Sequence, residues 1–343
     1  MTLSRSPIGM RLAVTLLKAG VAIVLIGLLC WHIDVQEVSD ALAQARLLPL
    51  AGALGVSILG VVLSAEKWRG LLRAAGVHLS LAVCARLYWI GMFVSNFLPS
   101  SVGGDALRLV LTPAPNRRTD VAGTILVERL TGFAVMLALC GLGLALRPSS
   151  FAEPGLRLAL LALVVGLGLA VVAALVVPGW LAALLPRLAP RLPRLLRRPV
   201  EVAAQVATAV AGLAQDPAVL GRALLLSIVF YGTIILAQYG VLHAVGAQVA
   251  LADVVLVGAV VPLLTLLPVS LNGLGLAEGA FVLLYAPLGA PPALALAAAV
   301  LRRLVDLTNS ALGGLLWLGQ GSPEAAQDER SGLGGQGAPA RGA

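Results

Sequence analysis

Asp105, Arg108, Glu128, Arg129, Glu278 and Arg302 are ionisable side chains in stretches otherwise apolar enough to lie in a lipid bilayer. Burying such a group in a membrane helix costs about 2.5–3.5 kcal/mol or more on insertion scales, so each needs a protein partner, a wet cavity or a ligand. A guanidinium grips phosphate through paired hydrogen bonds. A carboxylate suits a cationic head group or a coupling proton. Arginines beside acids therefore suit a phosphate-bearing ligand with an additional polar or cationic head group. Two of the acids follow related sequences. Asp105 comes after Leu98-Pro99-Ser100-Ser101-Val102-Gly103-Gly104, and Glu278 comes after Leu267-Pro268-Val269-Ser270-Leu271-Asn272-Gly273. Aligned, the two stretches share the leucine, the proline, the second serine and the last glycine. Broken hydrophobic segments in comparable positions of two halves point to a binding site at the midplane of a transporter. Two unrelated loops between helices would also suit Gly and Pro.

Non-helical backbone at membrane depth is tolerated only where protein or water surrounds it. The breaks at Pro99, Gly103 and Gly104, and at Pro268, Asn272, Gly273 and Gly275, are therefore expected to line a cavity. A half-helix starting near Gly104 would aim its free N–H groups and positive dipole end at that cavity, where a phosphate or carboxylate binds. Asp105 equally fits a cap for the half-helix, and Arg108, three residues on, fits its local ion-pair partner. Glu128 and Arg129 are adjacent and point about 100° apart, so each needs another partner. Arg302 and Asp306, one turn apart, can pair locally, while Arg303 points elsewhere. For all of these, fastening one helix to another is the alternative to binding.

The elements that must position these groups follow from composition. The chain has 343 residues, 59% hydrophobic and 12% charged, with a mean hydropathy of +0.97, whereas a soluble domain carries about a quarter of charged residues. The expected fold is an all-α polytopic integral membrane protein. It has about six full transmembrane helices plus two broken or re-entrant segments in an inverted-repeat arrangement. Residues 1–11 form a cytoplasmic N-terminus, 12–318 the transmembrane domain, and 319–343 a disordered tail rich in Gly, Ala, Gln and Pro. The full spans are Leu12–Trp31, Leu47–Ser64, Val121–Leu146, Leu156–Val177, Arg222–Val245 and Ala293–Leu318. The broken segments are 81–112 and 253–287. Asp34, Glu37 and Asp40 lie in an acidic linker, and Lys67, Arg69 and Arg73 close the second span with Trp68 at the interface.

Leu81–Thr112 is too short for two full crossings, which need about 40 residues, so a re-entrant segment fits. On that layout Arg5, Arg11, Lys67, Arg69, Arg73, Arg117, Arg118, the Arg187–Arg198 cluster of loop 178–222 and Arg222 lie on one side. Arg46, Arg147 and Arg157 lie on the other. The bias places both termini in the cytoplasm. It also makes one broken segment open inward and the other outward. A net charge of +8 then serves orientation and anionic lipid rather than nucleic acid. Cys30, Cys84 and Cys140 show no paired spacing, and the three histidines form no ligand motif, so neither a disulfide nor a metal site is indicated. Gly103-Gly104 lacks the Lys-Ser/Thr of a nucleotide-binding loop. No nucleophile–base pair and no cofactor site are read, so no enzymatic activity is expected.

The combination of LPSSVGGDALR (Leu98–Arg108), VERLTG (Val127–Gly132), PVSLNGLGLAEGAF (Pro268–Phe281) and an arginine-bearing last span resembles the flippase-like membrane domain of lysylphosphatidylglycerol synthases. It is similar also to stand-alone bacterial and archaeal proteins associated with family-two glycosyltransferases. The resemblance runs from about Leu12 to Leu318. It implies roles for Pro99, Gly103, Gly104, Asp105, Arg108, Glu128, Arg129, Asn272, Gly273, Gly275, Glu278 and Arg302. Those synthases also carry a soluble aminoacyl-transferase domain, which this sequence lacks, so translocation without lipid synthesis is the expectation. The cargo would be an anionic or aminoacylated phospholipid, or a polyprenyl-phosphate-linked sugar, in a bacterial inner membrane. The partners would be membrane lipids and a separate lipid-modifying or glycosyltransferase enzyme. Two other readings remain open here: a membrane-embedded glycosyltransferase or lipid-modifying enzyme, and a non-catalytic scaffold for one.

Overall fold

The computed structural model describes residues 7–97, 102–146, 154–191, 193–265 and 269–319, and among them every regular element is helical. The N-terminal half contains α1 (Pro7–His32), α2 (Val35–Ala43), α3 (Leu47–Ala74), α4 (Leu81–Phe97), α5 (Val102–Leu111) and α6 (Arg118–Leu146). The C-terminal half contains α7 (Pro154–Leu188), α8 (Arg194–Gln215), α9 (Pro217–Ala244), α10 (Leu251–Thr265), α11 (Leu276–Tyr285) and α12 (Pro292–Leu318). Each half thus runs long helix, amphipathic helix, long helix, two short helices, long helix.

Local chemistry repeats as well. Helix α3 ends where Gly76 takes φ 73°, and α9 ends where Gly246 takes φ 79°. In both, the glycine N–H and the next N–H fold back onto carbonyls of the last turn: Gly76 to Arg73 and Val77 to Leu72, Gly246 to His243 and Ala247 to Leu242. This is the Schellman stop, which glycine adopts without strain. Asp216 caps α9 by accepting from Ala218 and Val219 N–H, with Pro217 at the first helical position. Asp34 caps α2 in the same way.

Helices α3 and α9 pack along their length and run antiparallel. The Arg46 N–H before α3 donates to Ala244 O at the end of α9 (2.8 Å), and Gly240 lies against Pro49 and Ala53. Gly60 then meets Phe230 and Thr233 near mid-helix, and Gly70 comes close to Arg222. Around this pair α6 and α12 pack on both helices, and each short-helix pair folds back on itself. A Cβ on Gly91 of α4 would lie 3.0 Å from the Gly104 carbonyl of α5. A continuous helix would separate those residues by about 20 Å. Helix α11 likewise turns back to pack on α10. Between these two helices Asn272, Gly273 and Gly275 hold φ of 47°, 70° and 77°, the left-handed region where glycine is unstrained and asparagine is tolerated best among the rest.

Among the described residues, four helical segments are long and apolar enough to cross a bilayer, Leu47–Ala74, Pro115–Leu146, Arg157–Leu188 and Pro217–Ala244, with a fifth if α1 and α2, bent by 90°, count as one. The expected six are not reached on length and apolarity because α12 carries Arg302, Arg303 and Asp306 in its middle. Other expectations shift too. Helix α3 runs past Ser64 to Ala74 and buries Lys67 and Trp68 in the protein rather than at an interface. The acidic linker is the cap and body of α2. Helix α7 continues through Pro178 and Pro186, and α8 covers 194–215, so loop 178–222 is largely helical. Helix α8 lays Ala204, Ala207, Val210 and Ala211 on its buried face, with Gly123 of α6 admitting Ala209 and Val210. Leu158, Val165, Leu169, Val172 and Val176 of α7 face outward, as a lipid-contacting helix requires. The tail expected to be disordered lies outside the described residues from 320 on.

Candidate functional site

The two broken segments meet. Asn272, at the bend before α11, donates from Nδ2 to Asn96 Oδ1 near the end of α4 (3.0 Å), and Asn96 donates to Ser310 Oγ of α12 (2.7 Å). Two turns earlier on α4, Trp89 Nε1 donates to Asn309 Oδ1 (3.0 Å), whose Nδ2 reaches Ser57 of α3 (3.1 Å). These amide links bound a cavity of about 420 Å³. Its walls include Asn96, Gly104, Asp105, Arg129, Asn272 and Arg302. Gly313 lets α12 lie directly on the Trp89 carbonyl; any side-chain atom there would collide with it.

The ionisable groups sort into two layers. The deeper layer is closed. Arg108 Nη2 pairs with Glu128 Oε2 at 2.7 Å, with side chains 5% and 4% exposed. Tyr88 OH donates to the other Glu128 oxygen at 2.9 Å. The Arg108 guanidinium lies between the rings of Trp68 and Tyr88, 4.1 and 4.2 Å from their centroids, a cation–π sandwich. Trp68 is held by its own bond to Thr124 (3.1 Å). Arg108 therefore clamps α5 to α3, α4 and α6. The shallower layer faces the cavity. Asp105 receives Arg129 at 2.6–2.7 Å and Arg108 at 3.2 Å. The Arg129 side chain remains 39% exposed. Arg302 pairs with Asp306 at 2.9 Å. Glu128 and Arg129, neighbours in sequence, thus serve different acid–base pairs, as their angular separation requires.

The second acid has its own setting. The Glu278 carboxylate accepts the Gly275 N–H (2.7 Å), fastening the first turn of α11, and pairs with Arg303. An acid at the start of the short helix after each break is thus bound by an arginine of the next long helix: Asp105 with Arg129, Glu278 with Arg303. Asp105, Arg108, Glu128, Arg129, Arg302, Gly104 and Asn272 come together around one cavity. Glu278, Gly103, Gly273 and Gly275 are not in its lining. Gly275 instead lets α1 approach, since a Cβ there would meet Leu25 Cβ at 2.7 Å. Gly273 packs against Thr265. Pro99 and Pro268 lie outside the described residues. Sequence reasoning missed Lys67, Tyr88, Asn96 and the pairing of Arg303. A signal for the first was available: Ser57, Gly60, Ser64 and Lys67 recur at helical spacing, a small and polar stripe on an apolar helix, and all four line the cavity. Among the described residues no cluster of His, Cys, Asp and Glu could hold a metal ion.

Fold and site together define a multi-pass membrane protein with a charged cavity enclosed between two broken helical segments. The family described as Lysylphosphatidylglycerol synthase TM region matches residues 15–313, and the chain belongs to it. No curated protein and no solved structure matches the chain.

Proposed function

We propose that this protein moves a phosphate-bearing lipid between membrane leaflets, without covalent chemistry. The observation that carries the reading is the cavity bridged by Asn96 and Asn272, into which the half-exposed guanidinium of Arg129 opens beside Arg302. A head-group phosphate would replace part of the Asp105 hold on Arg129 and take paired hydrogen bonds from the guanidinium. The acyl or prenyl tails would stay in the bilayer. The two six-helix halves act as an inverted pair, with the antiparallel α3 and α9 at their axis and each short-helix pair gating one side. The protein sits in a bacterial inner membrane with both termini cytoplasmic. The cargo is an anionic or aminoacylated phospholipid or a polyprenyl-phosphate-linked sugar, received from or delivered to a separate lipid-modifying enzyme or glycosyltransferase.

Leaflet exchange in proteoliposomes tests this. Fluorescent lipids of different head groups are offered in turn, and an impermeant quencher reads the exposed fraction. Faster exchange for a phosphate-bearing head group is expected, lost in Arg129→Ala and Glu278→Gln while insertion is unchanged. Wild-type rates in both variants would refute the reading.

A further inference from the structure

Lys67 takes no part in the reading above, and its setting differs from that of every other cation around the cavity. Its Nζ donates to the Glu128 backbone carbonyl at 3.2 Å and to Ser227 Oγ at 3.1 Å. Both partners are uncharged, an ammonium has a third donor, and the side chain lines the cavity. Among the described residues Lys67 forms no ion pair. Tyr88 of α4, Arg108 of α5, Glu128 and Arg129 of α6, and Tyr231 of α9 face the same cavity around it. On its own helix Ser64 lines the cavity, while Glu66 turns away to Arg69 and Arg222. The Glu128 carboxylate is committed to Arg108 and Tyr88.

The cavity lining has four bases, Lys67, Arg108, Arg129 and Arg302, and three acids, Asp105, Glu128 and Asp306. One formal positive charge is in excess. Arginine does not give up its proton in proteins, and each of the three acids is bound to an arginine. The excess charge can therefore be removed without breaking an ion pair at one place, the lysine. Apart from Lys67, and from Lys18 and three histidines that do not line the cavity, the chain's basic side chains are all arginines, so the cavity's base that can release a proton is Lys67.

We propose that Lys67 is a proton-binding site, and that one proton accompanies each phosphate-diester head group through the cavity. The second half rests on the translocase reading. With Lys67 as the ammonium, the excess charge matches one diester anion, and the loaded cavity is neutral. On release the N–H bond breaks, its electron pair stays on nitrogen as the amine lone pair, and the proton passes to water as hydronium. The empty cavity is then neutral too. Neither state carries an uncompensated charge through the apolar phase, which is the costly condition.

The two-lysine composition supplies a readout independent of transport. In Lys18→Arg protein labelled with 13C-lysine in lipid nanodiscs, one lysine Cε resonance remains. It is expected to move from its ammonium to its amine position as the pH is raised, and back toward ammonium when phosphatidylglycerol is added. A resonance fixed at the ammonium position throughout overturns the proton site. In proteoliposomes, an imposed pH gradient should drive net phosphatidylglycerol movement, and a potassium diffusion potential should not. Lys67→Arg keeps the charge but cannot release it, so its exchange should lose the response to the gradient. A gradient response in Lys67→Arg equal to wild type overturns the coupling. A titrating resonance with no lipid exchange in the wild type keeps the proton site and refutes the translocase reading instead.

Discussion

The Arg108–Glu128 pair allows the sharpest perturbation. Both side chains are at most 5% exposed, 2.7 Å apart, and Arg108 stacks on two aromatic rings. Removing one member of a buried pair leaves the other charge uncompensated and costs about 3–5 kcal/mol. Replacing both with neutral groups of similar volume costs far less, because the desolvation of two charges is recovered. Arg108→Met should therefore destabilise by about 3–5 kcal/mol. Glu128→Gln should cost less, since the amide oxygen still accepts from Tyr88 and Asp105 still holds Arg108. Arg108→Met with Glu128→Gln should be no less stable than Arg108→Met alone, giving a coupling energy at least equal to the cost of Glu128→Gln alone. Reversible unfolding in mixed lipid–detergent micelles, followed by tryptophan fluorescence, measures all four proteins. Costs that add within about 0.5 kcal/mol would show that the two residues do not act as a pair, and the two-layer description of the site would fail.

Other outcomes follow from close contacts and from the open cation. A Cβ on Gly104 would collide with the Gly91 carbonyl, so Gly104→Ala should push α5 off α4 and cost about 1–3 kcal/mol, read in the same unfolding assay. Asn272, at φ 47°, should accept Gly with little loss of stability, while Asn272→Val should cost about 1–2 kcal/mol from the left-handed backbone. Asn272→Gly would still lose the link to Asn96, so its exchange rate should fall while its melting temperature holds. Arg129→Lys should retain part of the exchange that Arg129→Ala loses, because the charge remains and the planar fork does not.

The hydrophobic spans, the two breaks and the acids after them were legible because lipid permits few polar interruptions, so each one stands out. Glu128 and Arg129 were legible as groups needing different partners from helical geometry alone. What could not be read was which partner each found. Arg303 points away from Arg302, and the group it reaches is Glu278, a contact set by where α11 docks on α12. Lys67 and Trp68 resembled an interfacial end of a span because Arg69 and Arg73 follow them. Their burial depends on α3 lying at the centre of the bundle, against α9 and α6. The meeting of Asn96 and Asn272, 176 residues apart, is a tertiary fact that the echo between the two stretches suggested but did not require.

The claim on which the account rests is that a lipid head group occupies the cavity between the two broken segments. A phospholipid with a photoreactive group on its head, reconstituted with the protein and irradiated, tests this most directly when the labelled peptides are mapped. The account predicts label on α4, α5, α6 and α12 around Asn96, Asp105, Arg129 and Arg302, abolished in the Arg129→Ala, Arg302→Ala double variant. Label confined to the basic surface of α8, unchanged in that variant, would contradict it.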